Sequence, residues 1–160
     1  MKNAKWYIVG LMVLPWLSSP LIGRRSFRKY WASSLFMSCF VAAESYLARK
    51  RKWWWVFEKI FPVGIGELPL IIGPFFIGTI WILKLTHRSF TLYLLVNAMV
   101  HYFFSYFVLD FFKNLGIGAL VRLKRYQLML IFLGKSIILY GVQKGIDKVS
   151  HSMKKAGDAS

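Results

Sequence analysis

The sequence predicts an all-α fold: a polytopic bundle of four to five membrane-spanning helices with an aromatic segment lying at the interface. Three observations carry this. The 160 residues are 57% hydrophobic and 18% aromatic, more apolar surface than a soluble domain of this length can hide. The apolar residues fall in runs of membrane length. Between the runs sit short basic clusters, at 24–29, 49–52, 122–125 and 144–155.

The first run, 6–22, is preceded by Lys2 and Lys5, closed by Arg24 and Arg25, and interrupted by Pro15 and Pro20. The twin arginines after the prolines read as a stop rather than a signal-peptide cleavage site. A tilted, kinked or re-entrant segment is the expectation there. The second run, 30–48, ends at Arg49-Lys50-Arg51-Lys52 and carries Ser34, Ser38, Ala42 and Ser45 at helical spacing. Small residues let helix backbones approach closely in lipid, so this stripe is the expected packing face.

Residues 53–61 follow, opening with Trp53, Trp54 and Trp55. Three tryptophans directly after four cations mark a headgroup-level belt, so these are expected as interfacial anchors and the segment as lying in the membrane plane. The third run, 67–85, contains Pro69, Gly73, Pro74 and Gly78, which predicts a kink or break between Pro69 and Gly78. The fourth run, 91–112, has the strongest spanning character, and the fifth is 127–143. Together they make a single transmembrane domain over 1–143, with 144–160 a polar basic tail expected to fray.

With the five runs alternating across a bilayer, eleven cations fall on one side and ten on the other. The positive-inside rule therefore assigns no orientation.

Net charge is +16. Because the cations lie between apolar runs, they fit anionic lipid headgroups, each worth about 1 kcal/mol near such a surface. The expected partner is a lipid bilayer with anionic headgroups, together with other membrane proteins or a second copy of the chain. No zinc-finger, RNA-recognition or helix-turn-helix pattern points to nucleic acid. Cys39, the only cysteine, lies inside an apolar run, where it acts as a small hydrophobe.

Ionisable groups inside spans are costly and ask for a partner or a use. Lys135 is the central residue of 127–143; His101 lies near the middle of the fourth run, with Asn97 one turn earlier. Asp110, Glu44 and Glu67 sit towards run ends, on one membrane face with Glu58 if the runs alternate. Lys135, His101, Asn97, Asp110, Glu44 and Glu67 make a candidate intramembrane polar site. Lys135 is expected to face inward, with Asp110, Glu44 and His101 as partners in that order.

No HExxH, GxSxG or GxxxxGK[ST] pattern occurs, and one central histidine is a poor haem site. No catalytic residue, metal or cofactor is expected. The reading is a non-enzymatic structural or assembly component of a bacterial-type cytoplasmic membrane. Its rivals are a small transporter or channel subunit with a midplane polar site, and a lipid-modifying enzyme.

Overall fold

The computed structural model describes residues 4–56 and 66–157, and it is a helical bundle. Among the described residues, three helices are long and apolar enough to cross a membrane: Leu68–Thr86, Phe90–Asn114 and Arg125–Met153. The first of these is built from a short turn α4 (Leu68–Leu70), a π-helical turn (Ile71–Phe75) and α5 (Phe76–Thr86). The second consists of α6 (Phe90–Phe103), a second π-helical turn (Phe104–Val108) and α7 (Leu109–Asn114). The third belongs to α8 (Arg125–Gly157). Ahead of them come α1 (Ala4–Leu17), α2 (Ser19–Ile22) and α3 (Arg24–Arg51).

The break in the third run falls at Ile71–Phe75. Pro74 has no N–H to give, so the turn before it widens to π spacing and leaves carbonyls to be satisfied from outside. Trp16 supplies one donor, its Nε1–H reaching the Ile72 carbonyl at 3.1 Å. The first run lies parallel to this helix along its whole length. Gly73 sits against Leu11 and Met12 so closely that a Cβ would come within 2.8 Å of their backbone atoms. Further on, Trp81 Nε1 donates to Ser18 Oγ (3.0 Å) and Lys84 Nζ to the Leu21 carbonyl (2.9 Å). Glycine at 73 is what lets α1 approach.

α3 is 28 residues long, but its serines, Glu44 and terminal cations set it apart from the three apolar helices. Of the small stripe Ser34 and Ser45 are buried while Ser38 and Ala42 are half-buried; the buried face, which packs towards α5 and α8, is shared with the larger Met37 and Val41 and with Ala48. Lys52 closes the helix in the left-handed conformation at φ 55°, and the Trp53 N–H returns to the Ala48 carbonyl at 2.9 Å.

The structure adds to these expectations at three places. The segment after α3 begins with a short strand, β1 (Trp54–Val56), paired antiparallel to β2 (Gly118–Leu120), with Trp55 opposite Ala119. Among the described residues the regular structure is thus helical but for this two-stranded ladder, which fastens the end of α3 to the approach to α8. Residues 57–61 of the expected interfacial segment, with Glu58, lie outside the described residues. The tail is helical rather than frayed: α8 runs on to Gly157, and Asp147 within it meets Lys29 on α3 and His87 just after α5. The second π turn, Phe104–Val108, was also unforeseen, since no proline or glycine marks it.

Candidate functional site

The residues singled out from sequence form three groups. At mid-bundle, α3 and α8 bring Lys135 Nζ onto Glu44 Oε2, an ion pair with side chains 7% and 12% exposed. The ammonium also stands 4.3 Å from the centre of the Phe132 ring. The expected order of partners is therefore corrected. Asp110 is taken by Arg125 in a two-pronged contact of 2.9 and 2.5 Å near the ladder end, leaving Glu44 for Lys135. Packing of α3 on α8 decides this, whereas sequence adjacency had favoured Asp110.

Next to the pair, α6 and α8 share a hydrogen-bonded chain. His101 Nε2 lies 2.8 Å from Ser136 Oγ, and Ser136 Oγ donates to Asn97 Oδ1 at 3.0 Å. Asn97 Nδ2 donates to the Tyr93 carbonyl and the Tyr93 hydroxyl to the Ser136 carbonyl, both at 2.8 Å. Ser136 Oγ also reaches the Phe132 carbonyl one turn earlier at 3.0 Å, so its single proton has two acceptors, and the direction of the His101 contact follows the imidazole tautomer.

Glu67 lies at the ladder end. Its Oε1 accepts from Trp54 Nε1 at 2.7 Å, and its Oε2 is 3.7 Å from Arg49. Trp53 packs beside Trp54 with ring centres 6.3 Å apart, under the Arg51 guanidinium at 5.8 Å. Of Trp55 only the backbone is described, in the ladder.

Two cavities meet at Lys135. One, of about 90 Å³, runs from Trp54, Glu67 and Leu120 inward to Phe132 and Lys135. The other, of about 140 Å³, lies between Pro74, Gly78, Asn97, His101, Ser136 and Lys135. Phe75 and Phe104, one from each π turn, meet Phe132 between them, at ring-centre distances of 5.7 to 6.4 Å. The widened backbone of both π turns thus carries the aromatic partition.

Sequence reasoning missed a fourth group, at the opposite end from the ladder. The Asp147 carboxylate receives His87 Nε2 at 2.7 Å and Gln143 Nε2 at 3.0 Å, with Lys29 at 3.6 Å. Gln143, fully buried, accepts in turn from Ser33 Oγ at 2.7 Å. Burial and the nearby Lys29 charge hold His87 below its ordinary 6.5, against the pull of Asp147. The available signal was Gln143 and Asp147 four apart on a continuing helix. No group of three or more potential metal ligands occurs among the described residues.

Comparisons with family models, with curated proteins and with solved structures return no match.

Proposed function

We propose that the chain is a multi-pass protein of a bacterial-type cytoplasmic membrane that acts as a non-enzymatic structural or assembly component. The observation that carries this is the Lys135–Glu44 pair. The costliest polar group in the apolar bundle is spent on joining α3 to α8, and its neighbour chain joins α6 to α8. Interhelical hydrogen bonds of this kind contribute about 0.6 kcal/mol on average in membranes, up to about 1.7. They specify which helices pack, which is what a scaffold needs.

Five crossings suit the arrangement. The first run follows the helix Leu68–Thr86, and α3 joins the ladder end to the end that holds Asp147. The partners of such a component are anionic lipids at its basic ends and other membrane proteins.

A second reading, a small transporter or channel subunit, draws on the two cavities that meet at Lys135. One experiment separates the two. The purified chain is placed in sealed vesicles, as wild type and as the double variant Glu44→Leu, Lys135→Met, and proton and chloride flux are recorded. The structural reading expects both to match protein-free vesicles, with the double variant folded. Flux through the wild type that the folded double variant lacks would overturn it in favour of transport.

A further inference from the structure

The cavity at the ladder end has a shape and a rim that name an occupant. It follows α8 from Leu128 to Lys135, seven residues apart, which at 1.5 Å per residue is a slot about 10 Å deep. Its volume, about 90 Å³, is smaller than the ~150 Å³ cavity that accepts a benzene ring. The slot is therefore long and narrow, and its walls are apolar apart from Ser45, the Lys135–Glu44 pair at the inner end and Glu67 at the mouth. An unfilled slot would forfeit dispersion contacts along its whole length.

The rim is cationic. Arg49, Lys50, Arg51 and Lys52 end α3, and the Trp53 carbonyl takes the N–H groups of Val121 and Arg122 at 3.0 and 3.2 Å. That contact sets the second basic run beside the first, within a few residues of Trp54 and Leu120, which line the slot. At the mouth, Glu67 Oε2 is buried and, among the described residues, accepts no hydrogen bond; Arg49 at 3.7 Å is beyond hydrogen-bonding distance. A buried acceptor beside a cationic rim matches a phosphate diester whose headgroup carries a hydroxyl donor.

We propose that this slot holds part of one acyl chain of an anionic glycerophospholipid, with the phosphate on the rim cations and a headgroup hydroxyl on Glu67. The proposal rests on the membrane reading above and gives its anionic-lipid partner a definite seat. The lipid would fasten the ladder to the bundle from within.

Native mass spectrometry of the full chain tests it, using protein released from bilayers with equal amounts of phosphatidylglycerol and phosphatidylcholine of identical chains. One retained lipid is expected, phosphatidylglycerol at least ten-fold over phosphatidylcholine. Ala119→Leu fills the slot from β2 and Ser45→Leu fills it from α3. Each should cut retained phosphatidylglycerol at least five-fold while the protein still elutes as a folded species. The second variant guards against a ladder disturbed by the first.

Equal retention of the two lipids overturns the proposal. So does undiminished phosphatidylglycerol in either folded, filled variant, which would mean headgroup binding alone. Retention of a second copy of the chain in place of lipid does the same. Failure of the membrane reading looks different: alkaline carbonate would strip the wild-type chain from membranes before any lipid was compared.

Discussion

Two regions of this bundle solve the same problem, a carboxylate beside a basic group, in opposite ways. At mid-bundle, Glu44 meets Lys135 with both side chains nearly enclosed, and the neighbouring Asn97–Ser136–His101 chain ties α6 to α8. At the far end of α8, Asp147 is 27% exposed and shared by His87, Gln143 and Lys29, and His87 Nδ1 is buried with no hydrogen-bond partner among the described residues. The first has one geometry, because losing it strands a charge in an apolar surround. The second keeps spare capacity and reaches water, so protonation can change it. Depth converts the same chemistry from a lock into a titratable clasp.

The largest effect should come from breaking the lock on one side. Glu44→Gln or Lys135→Met alone is expected to cost about 3–5 kcal/mol, since each leaves the other charge buried and unpaired. Thermal or denaturant unfolding in a mild detergent measures this. The matching change at the clasp, Lys29→Gln, removes an exposed contact and should cost at most about 1 kcal/mol. Equal costs at the two places would erase the distinction between them.

Next in size is the close approach of α1. Gly73→Ala puts a methyl within 2.8 Å of the Leu11 and Met12 backbones, and such overpacking costs about 1–3 kcal/mol. Limited proteolysis should show the first run released before the rest of the bundle. Asn97→Ala, which opens the hydrogen-bonded chain beside the lock, should follow at about 0.6–1.7 kcal/mol by the same unfolding measurement.

The clasp gives the smallest effect and the only one that pH governs. His87 is held below 6.5 by burial and by Lys29, with Asp147 pulling the other way and Lys144 adding to the depression. The unfolded chain therefore takes up a proton more readily than the folded one. The stability from neutral His87 is complete above pH 6.5 and lost as pH falls through the lower native value. The melting temperature should decline across that acid window, and His87→Gln should flatten that part of the decline. An unchanged slope in the variant would assign the acid sensitivity elsewhere.

The lock was half legible from sequence and the clasp hardly at all. A lysine at the centre of an apolar run must turn inward, because facing lipid costs about 2.5–3.5 kcal/mol, and so Lys135 could be singled out. Its partner could not, since Glu44 and Asp110 sit at similar depths and only the packing of α3 on α8 distinguishes them. Pro74 announced the first π turn. Nothing in Phe104–Val108 announced the second, which arises where α6 must pass Phe75 and Phe132. The clasp stayed hidden because 144–155 reads as a solvated basic run, while the residues that meet Asp147, Lys29 on α3 and His87 at the end of α5, are distant in sequence. Likewise, Trp54–Val56 carries interfacial composition, and pairing with Gly118–Leu120 is a long-range event that composition does not encode.

The central claim is that the mid-bundle charges exist to join helices, and a double-mutant cycle on Glu44 and Lys135 tests it most directly. Unfolding free energies are measured for Glu44→Leu, Lys135→Met and the double variant, all as full-length protein. The lock predicts that the double variant unfolds within about 1 kcal/mol of wild type, although each single change costs about 3–5 kcal/mol, because an apolar pair of similar volume replaces a buried ion pair with little loss. Single costs that simply add in the double variant would contradict the account and leave Lys135 and Glu44 serving separate purposes.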